Sequence, residues 1–308
     1  MSRVLIFANP YSGRRDNRKL VEDFERELSE RGLQAQAVWG CEDRMAALRD
    51  APDDTRAVVA AGGDGSIGDV INDMHAAGRL GLPFATLPVG TENLFAKEMG
   101  FRLKELGALA AAIARGETRA IDLGRLVPDT PDEPGRLFTL MVSAGFDAEV
   151  VRRVDAWRVG LGDGSLRRVR RSSYFRPILA AIFRYRYPRI RLVADEQPPI
   201  DGSQAYVFNL PQYGGELGIG RYACPDDGRL HWLVFTRPGL PRLLLYHLRC
   251  KLGQQKSAPG IVQGYAKRIT VQPAGAAEPA PVQADGDPAA FVPLGIALLP
   301  GALRVIRV

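Results

Sequence analysis

Ala57-Val58-Val59-Ala60-Ala61-Gly62-Gly63-Asp64-Gly65-Ser66-Ile67-Gly68-Asp69-Val70-Ile71 is the stretch on which the fold turns. Its first five residues are small or branched and uncharged, the composition of a strand buried on both faces of a parallel sheet. Ile67, Val70, Ile71 and Met74 then recur at the spacing of one helix face. Gly62–Ser66 therefore joins a strand to a helix. There the N–H groups and dipole of the helix start favour a phosphate, and residues without Cβ let it come close. Asp64 inside such a cradle repels a phosphate unless a cation bridges them or the carboxylate takes a proton from an attacking hydroxyl. Either role belongs to metal-assisted phosphoryl transfer. A tight turn with an Asp helix cap is the plainer alternative. Gly63–Gly68 also satisfies G-x-G-x-x-G, but that dinucleotide fingerprint ordinarily opens a chain's first strand–helix unit, and an earlier unit precedes this one.

Working outward, Val4–Ala8 reads as the first strand, with Asn9-Pro10-Tyr11-Ser12-Gly13 as its polar turn. Leu20, Val21, Phe24 and Leu28 mark one face of a helix that Gly32 ends. Ala35–Trp39 reads as a strand and Arg44–Arg49 as a short helix. Beyond the central turn come a strand at Phe84–Leu87, the turn Pro88–Asn93, a helix marked by Leu106, Leu109, Ala110 and Ile113, and a strand at Ala120–Leu123. Strands alternating with helices imply an open, largely parallel α/β sheet over residues 1–125. Ligands of such sheets bind beyond the carboxyl ends of the strands. Three polar turns, Asn9–Gly13, Gly62–Ser66 and Pro88–Asn93, fall at that edge.

The three segments Asn9-Pro10-x-Ser12-Gly13, Gly62-Gly63-Asp64-Gly65-Ser66-Ile67-x-Asp69-Val70-Ile71-Asn72 and Pro88-x-Gly90-Thr91-x-Asn93-x-Phe95-Ala96 together resemble the catalytic domain of the diacylglycerol/lipid kinase family. That family includes bacterial soluble lipid kinases and sphingosine kinases, and its fold is related to NAD kinase and phosphofructokinase. The resemblance implies an NAD kinase-like α/β N-terminal domain plus a β-sandwich C-terminal domain over residues 126–308, whose last strand packs back near the first domain. It implies ATP with Mg2+. Asn9, Pro10, Ser12 and Gly13 would line the nucleotide, Gly62, Gly63, Asp64, Gly65 and Ser66 would hold its phosphates, and Gly90, Thr91 and Asn93 would complete the site. Asp122 would lie near the lipid headgroup; a plain strand-end turn is the alternative. The chain departs from the family pattern at Ser66, Gly68, Asp69 and Leu94, and at Trp39-Gly40-Cys41-Glu42, where a nucleotide-contacting Thr is common.

From residue 126 onward, strand-like runs replace the alternation: Leu137–Ser143, Arg189–Val193, Ala205–Asn209, Leu230–Phe235, Arg268–Val271 and Ala302–Val308. Pro273–Pro288 is Ala/Pro-rich. Ser143–Val150 resembles a structural Gly-Phe-Asp-Ala segment. Tyr213-Gly214-Gly215 and Cys224-Pro225-Asp226-Asp227-Gly228 resemble the family's glycine-rich stretch and Asp-Gly turn, in which Asp227, with the carbonyls of Cys224 and Arg229, would bind a structural magnesium; the residues taken alone favour an ordinary Asp-Gly hairpin turn. Asp285-Gly286-Asp287 matches a late Asp-Gly-Glu supplying a catalytic carboxylate. Asp287 is one methylene shorter than the usual Glu, which favours Asp285, and the choice of base between Asp64 and Asp285 stays open.

Arg152–Arg191 holds twelve arginines against two acids, with aromatics interleaved. It suits an anionic membrane surface, or a solvated helix packed on the sandwich. No nucleic-acid motif accompanies it, so no nucleic acid partner is expected. The net charge of +6 favours anionic partners. Cys41, Cys224 and Cys250 form no disulfide or metal pattern, and His75, His231 and His247 suggest no metal site or triad. With no signal peptide and no membrane-spanning run, the expectation is a cytoplasmic protein with peripheral membrane association; a homodimer is compatible. The expected activity is ATP-dependent phosphoryl transfer to a lipid hydroxyl of diacylglycerol or sphingoid type at the interdomain cleft. NAD kinase and a non-catalytic lipid- or nucleotide-binding protein are the alternatives.

Overall fold

Six consecutive residues without a charge, Ala57–Gly62, form a strand that is buried along its whole length (β3). The computed structural model describes residues 2–9, 17–127, 135–159, 185–212 and 217–308. By compactness the described chain divides into two units: Met1–Leu123 with Leu299–Val308, and Gly124–Leu298. The dividing point lies two residues before the expected 125/126, and residues 299–308 group with the N-terminal half.

In the first unit β1 (Arg3–Ala8) pairs in parallel with both β2 (Gln34–Trp39) and β3, and β3 pairs in parallel with β4 (Phe84–Pro88). The strand order is β2-β1-β3-β4, continued by the C-terminal end of the last strand, where Val305 lies opposite Phe84. Right-handed crossovers put α1 (Arg18–Ser29) on one face. They put α2 (Arg44–Arg49) and α3 (Asp64–Ala76) on the other, and α2 and α3 pack together. α5 (Leu106–Arg115), which follows α4 (Leu94–Met99), packs on α1. The buried faces are those the periodicity marked: Val21, Phe24 and Leu28 on α1, and Ile67, Val70, Ile71 and Met74 on α3. The chain leaves β1 toward β2 in one direction and β3 toward β4 in the other, so the strand order reverses between β1 and β3. That is where open α/β sheets bind ligands.

The second unit has two sheets around one apolar core. β5 (Thr118–Val127), β6 (Leu137–Phe138), β8 (Ile190–Ala194), β9 (Ile200–Gly202), β13 (Arg268–Pro273) and β16 (Leu294–Ile306) supply one sheet, β5 and β16 each having residues in both units. The other is antiparallel, in the order β12-β11-β10-β7-β14-β15: Ile261–Ala266, Leu230–Phe235, Gln204–Phe208, Met141–Gly145, Pro281–Ala284 and Asp287–Phe291. Phe138, Ile190, Leu192, Val207, Trp232 and Val282 fill the space between the sheets. Among the described residues two helices join them: α6 (Phe146–Val159) and α7 (Leu240–Lys251).

The expected strand at Leu137–Ser143 is broken at Thr139-Leu140. The cause is local: the N–H groups of Thr139, Leu140 and Met141 turn toward the carboxylate of Asp285. Part of the Ala/Pro-rich stretch is β14, a buried strand, and β16 runs 13 residues where a shorter strand was expected. Most of the arginine-rich segment, residues 160–184, and Tyr213-Gly214-Gly215 lie outside the described residues.

Candidate functional site

At the carboxyl end of the parallel sheet Asn9 interlocks with the two turns Gly62–Ser66 and Pro88–Asn93. β1 ends in Asn9, whose N–H continues the ladder to Ala61 O (3.2 Å) and whose Nδ2 donates to Ser66 Oγ (3.3 Å). Asn17, buried just before α1, donates to Asn9 O (2.9 Å). β3 runs into Gly63, the extended residue capping α3. Gly63 and Gly90 pack backbone to backbone: a Cβ on Gly63 would lie 3.2 Å from the Gly90 Cα. Asn93 adopts the left-handed conformation and donates to Pro88 O (3.1 Å) and Gly90 O (3.0 Å), closing the third turn on itself.

Asp64 ties the second turn to the third. Its Oδ2 accepts the N–H of Leu94 and its Oδ1 that of Phe95, each at 3.0 Å. The carboxylate thus caps α4 from another element, where orphan N–H groups and the helix dipole favour it. Leu94 stands where the family has Asp, and its part here is played by a backbone N–H that any residue supplies. Gly65 is exposed with open space where a Cβ would be, and Thr91 is exposed on the third turn. Gly62 is buried, as the last residue of β3. Pro10, Ser12 and Gly13 lie outside the described residues. Asp122 is buried and accepts the Gly301 N–H (2.7 Å), which anchors the last strand in this unit.

The second unit carries its own polar cluster. Asp285 and Gly286 both have positive φ (52° and 92°) in the two-residue connection between β14 and β15, the signature of a type I′ hairpin. The Asp285 carboxylate folds back onto four donors: Thr139 N (2.6 Å) and Oγ1 (2.9 Å), Leu140 N (2.8 Å) and Met141 N (2.9 Å). Burial pushes its pKa up against the pull of those donors. Asp287 has an accessible carboxylate 3.4 Å from Arg136 Nη2, and Arg136 is held by Ala284 O and Pro288 O (3.2 Å each).

Beneath the hairpin lies a buried network that motif reading passes over. Gln283 Nε2 donates to Ser143 Oγ (3.0 Å) and Asp147 Oδ2 (3.2 Å), Ser143 Oγ donates to Asp147 Oδ2 (2.6 Å), and Gln283 Oε1 accepts the Gly286 N–H (2.8 Å). A glutamine alone in the buried strand Pro281–Ala284 was the available signal.

The expected metal position was tested on its donors. Asp227 Oδ2 accepts Arg229 Nε (2.9 Å) and its Oδ1 accepts the Arg229 N–H (3.2 Å), an Asp-Gly turn closed by its own arginine. The Arg229 guanidinium also lies 4.2 Å over the Tyr265 ring. Cys224 donates to Asp226 (3.2 Å), and burial together with that carboxylate raises its pKa, so it stays a thiol. Among the described residues no group of three His, Cys, Asp or Glu side chains could hold a metal. A cation from the chain itself thus already pairs with Asp227.

A mainly parallel α/β sheet in one unit and an antiparallel sheet in a sandwich-like second unit form a two-domain α/β-plus-sandwich architecture. Residues 3–126 match the diacylglycerol kinase catalytic domain, and residues 140–307 match the YegS C-terminal NAD kinase beta sandwich-like domain. The chain is 30% identical over 312 residues to a diacylglycerol kinase of Mycobacterium tuberculosis, covering 100% of this chain and 96% of the relative. It is 29% identical over 253 residues to a probable lipid kinase YegS-like of Pseudomonas aeruginosa, covering 80% and 75%. A crystal structure of a diacylglycerol kinase from Bacillus anthracis shows the same fold, with a TM-score of 0.69 at 16% identity over 100% of this chain and 97% of that one. The chain belongs to the diacylglycerol kinase family of lipid kinases. No helix among the described residues is long and apolar enough to cross a membrane.

Proposed function

We propose that this protein transfers the γ-phosphoryl group of ATP to the free hydroxyl of a diacylglycerol-type lipid. The interlock of Asn9 with the Gly62–Ser66 and Pro88–Asn93 turns at the sheet's reversal point carries this reading. Asn9 to Ser66, Asp64 to Leu94 and Phe95, and Gly63 against Gly90 hold exposed Gly65, Thr91 and the start of α3 in one fixed arrangement. Such an edge suits a polyphosphate, because its donors are placed before the ligand arrives.

Asp64 is a positioning residue in this scheme, since both of its oxygens already accept backbone N–H groups. Magnesium accompanies the nucleotide and neutralises phosphate charge. On the acceptor side Asp287 is the better general base than Asp285, whose carboxylate is enclosed by four donors. The Asp287 carboxylate, accessible beside Arg136, takes the hydroxyl proton as the oxygen attacks phosphorus and ADP leaves.

The test is ADP release from magnesium-ATP by the purified protein, with and without mixed vesicles containing diacylglycerol. Asp64→Asn and Asp287→Asn are assayed beside the wild type. The expected result is lipid-stimulated release that both variants lower, Asp287→Asn through kcat with KM for ATP unchanged. A wild type that no lipid stimulates overturns the proposal.

A further inference from the structure

We propose that the outer face of α7, with the arginine-lined pocket beside it, docks on an anionic phospholipid bilayer. The helix is anchored from one side only. Leu243, Tyr246 and Cys250 are buried, the Tyr246 ring lies 4.9 Å from that of Phe235, and His247 Nε2 meets Tyr206 Oη at 3.1 Å. The opposite side is apolar as well. Leu244 is 59% exposed, Leu245 47%, Leu248 53% and Leu252 60%. Leu244, Leu248 and Leu252 follow at intervals of four, so they form a stripe along the helix axis. Scattered exposed leucines need no explanation, but a continuous stripe marks a surface that something covers.

Charge identifies the occupant. Between Asp227 and Glu278 the chain has no acid and eight Lys and Arg. Arg237, Arg242 and Arg249 line one cavity of about 210 Å³ with Leu245 and Tyr246. Arg242, Leu245 and Arg249 lie on one edge of α7, so the basic pocket borders the leucine stripe. An apolar stripe flanked by cations, with no acid among them, is the pattern of a helix lying in a membrane interface: leucines enter the acyl boundary and arginines meet phosphates. Along residues 228–277 a protein surface of mixed charge finds no acid to pair with its cations. The proposal rests on the lipid-kinase reading for the reason to visit a bilayer. The surface itself is built from α7 and its pocket and includes no residue of the arginine-rich segment.

The experiment is co-sedimentation of the full chain with vesicles of phosphatidylcholine and of equimolar phosphatidylcholine and phosphatidylglycerol. Leu244→Glu/Leu248→Glu and Arg242→Gln/Arg249→Gln are compared with the wild type, and melting curves confirm that both variants fold. The wild type is expected to bind the anionic vesicles and release them as salt rises. The leucine variant should lose binding at least tenfold, and the arginine variant about fivefold per arginine removed. Binding that survives in both variants overturns the proposal. So does a wild type that ignores vesicles but forms a dimer the leucine variant dissociates, because the stripe is then covered by a second copy.

ADP release with a short-chain diacylglycerol below its aggregation threshold separates this from the catalytic reading. Turnover without vesicle binding refutes docking alone, and vesicle binding without turnover refutes the kinase reading alone.

Discussion

A methyl group added at Gly90 would press into the Cα of Gly63 and lie 2.7 Å from Asn93 Oδ1. Neither neighbour yields cheaply. Gly63 is backbone between β3 and α3, and the Asn93 side chain is tied to Pro88 O and Gly90 O. Gly90→Ala must therefore push the third turn away from the second by on the order of 1 Å, with an overpacking cost of about 1–3 kcal/mol. In melting temperature that is a drop on the order of 5 °C. The shift also pulls Leu94 and Phe95 from the Asp64 carboxylate, and a misplacement of that size costs roughly a hundredfold in rate.

Gly65→Ala, in the turn packed against that of Gly90, predicts the opposite pattern. Its Cβ would meet no atom of this chain within 4 Å. Alanine in a helix is worth up to about 1 kcal/mol over glycine, so stability should hold or rise. The methyl group would instead face the incoming phosphates, and KM for ATP should rise at least tenfold. Melting curves and ADP release across ATP concentrations read both variants. An unchanged KM in Gly65→Ala would mean the phosphates lie elsewhere. A Gly90→Ala protein with wild-type melting and turnover would refute the interlock itself.

Asp285→Ala strips four donors of their acceptor and should destabilise the protein by about 3–5 kcal/mol in chemical denaturation, whereas Asp287→Asn, at an accessible ion pair, should cost less than about 1 kcal/mol. Because Arg229 already neutralises Asp227, nucleotide-free protein should melt at the same temperature in EDTA and in magnesium; stabilisation of the wild type by magnesium would refute the internal pairing. Arg229→Ala, which leaves Asp227 without its cation, should acquire a magnesium response. Burial lowers the His231 pKa to about 4, from the ordinary 6.5, with Gln263 at 3.2 Å opposing the shift. The unfolded chain therefore binds the proton first. Stability should be level above pH 6.5 and fall by on the order of 3 kcal/mol as pH drops toward 4. Denaturant titrations across that window should show the fall flattened in His231→Gln, and an equal fall in the variant would exclude His231 as its source.

The two aspartates that motif reading marks for chemistry, Asp64 and Asp285, show where such reading stops. Their positions follow from local pattern: one opens a helix after a buried strand, and the other sits in a two-residue hairpin with glycine. Their partners do not. Asp64 is capped onto residues 30 and 31 positions away, and Asp285 onto residues 144 to 146 away. Whether a carboxylate is a free base or a fixed strut depends on those distant N–H groups. The same contrast runs through the fold. β3 was legible because it is buried on both faces and so carries no charge, and α1, α3 and α5 because each shows one side to a core, so burial and periodicity coincide. α7 was not, since Leu243 and Tyr246 face inward while Leu244, Leu245 and Leu248 face out, and an apolar residue at nearly every position hides the period. β14 was hidden for a related reason: Gln283 interrupts its apolar run, although it is buried and organises the hairpin that carries Asp285 and Asp287. In each case the residue that blurs the local pattern is one whose partner lies far along the chain or outside it. The exceptions to periodicity are thus the better places to look for what this protein touches.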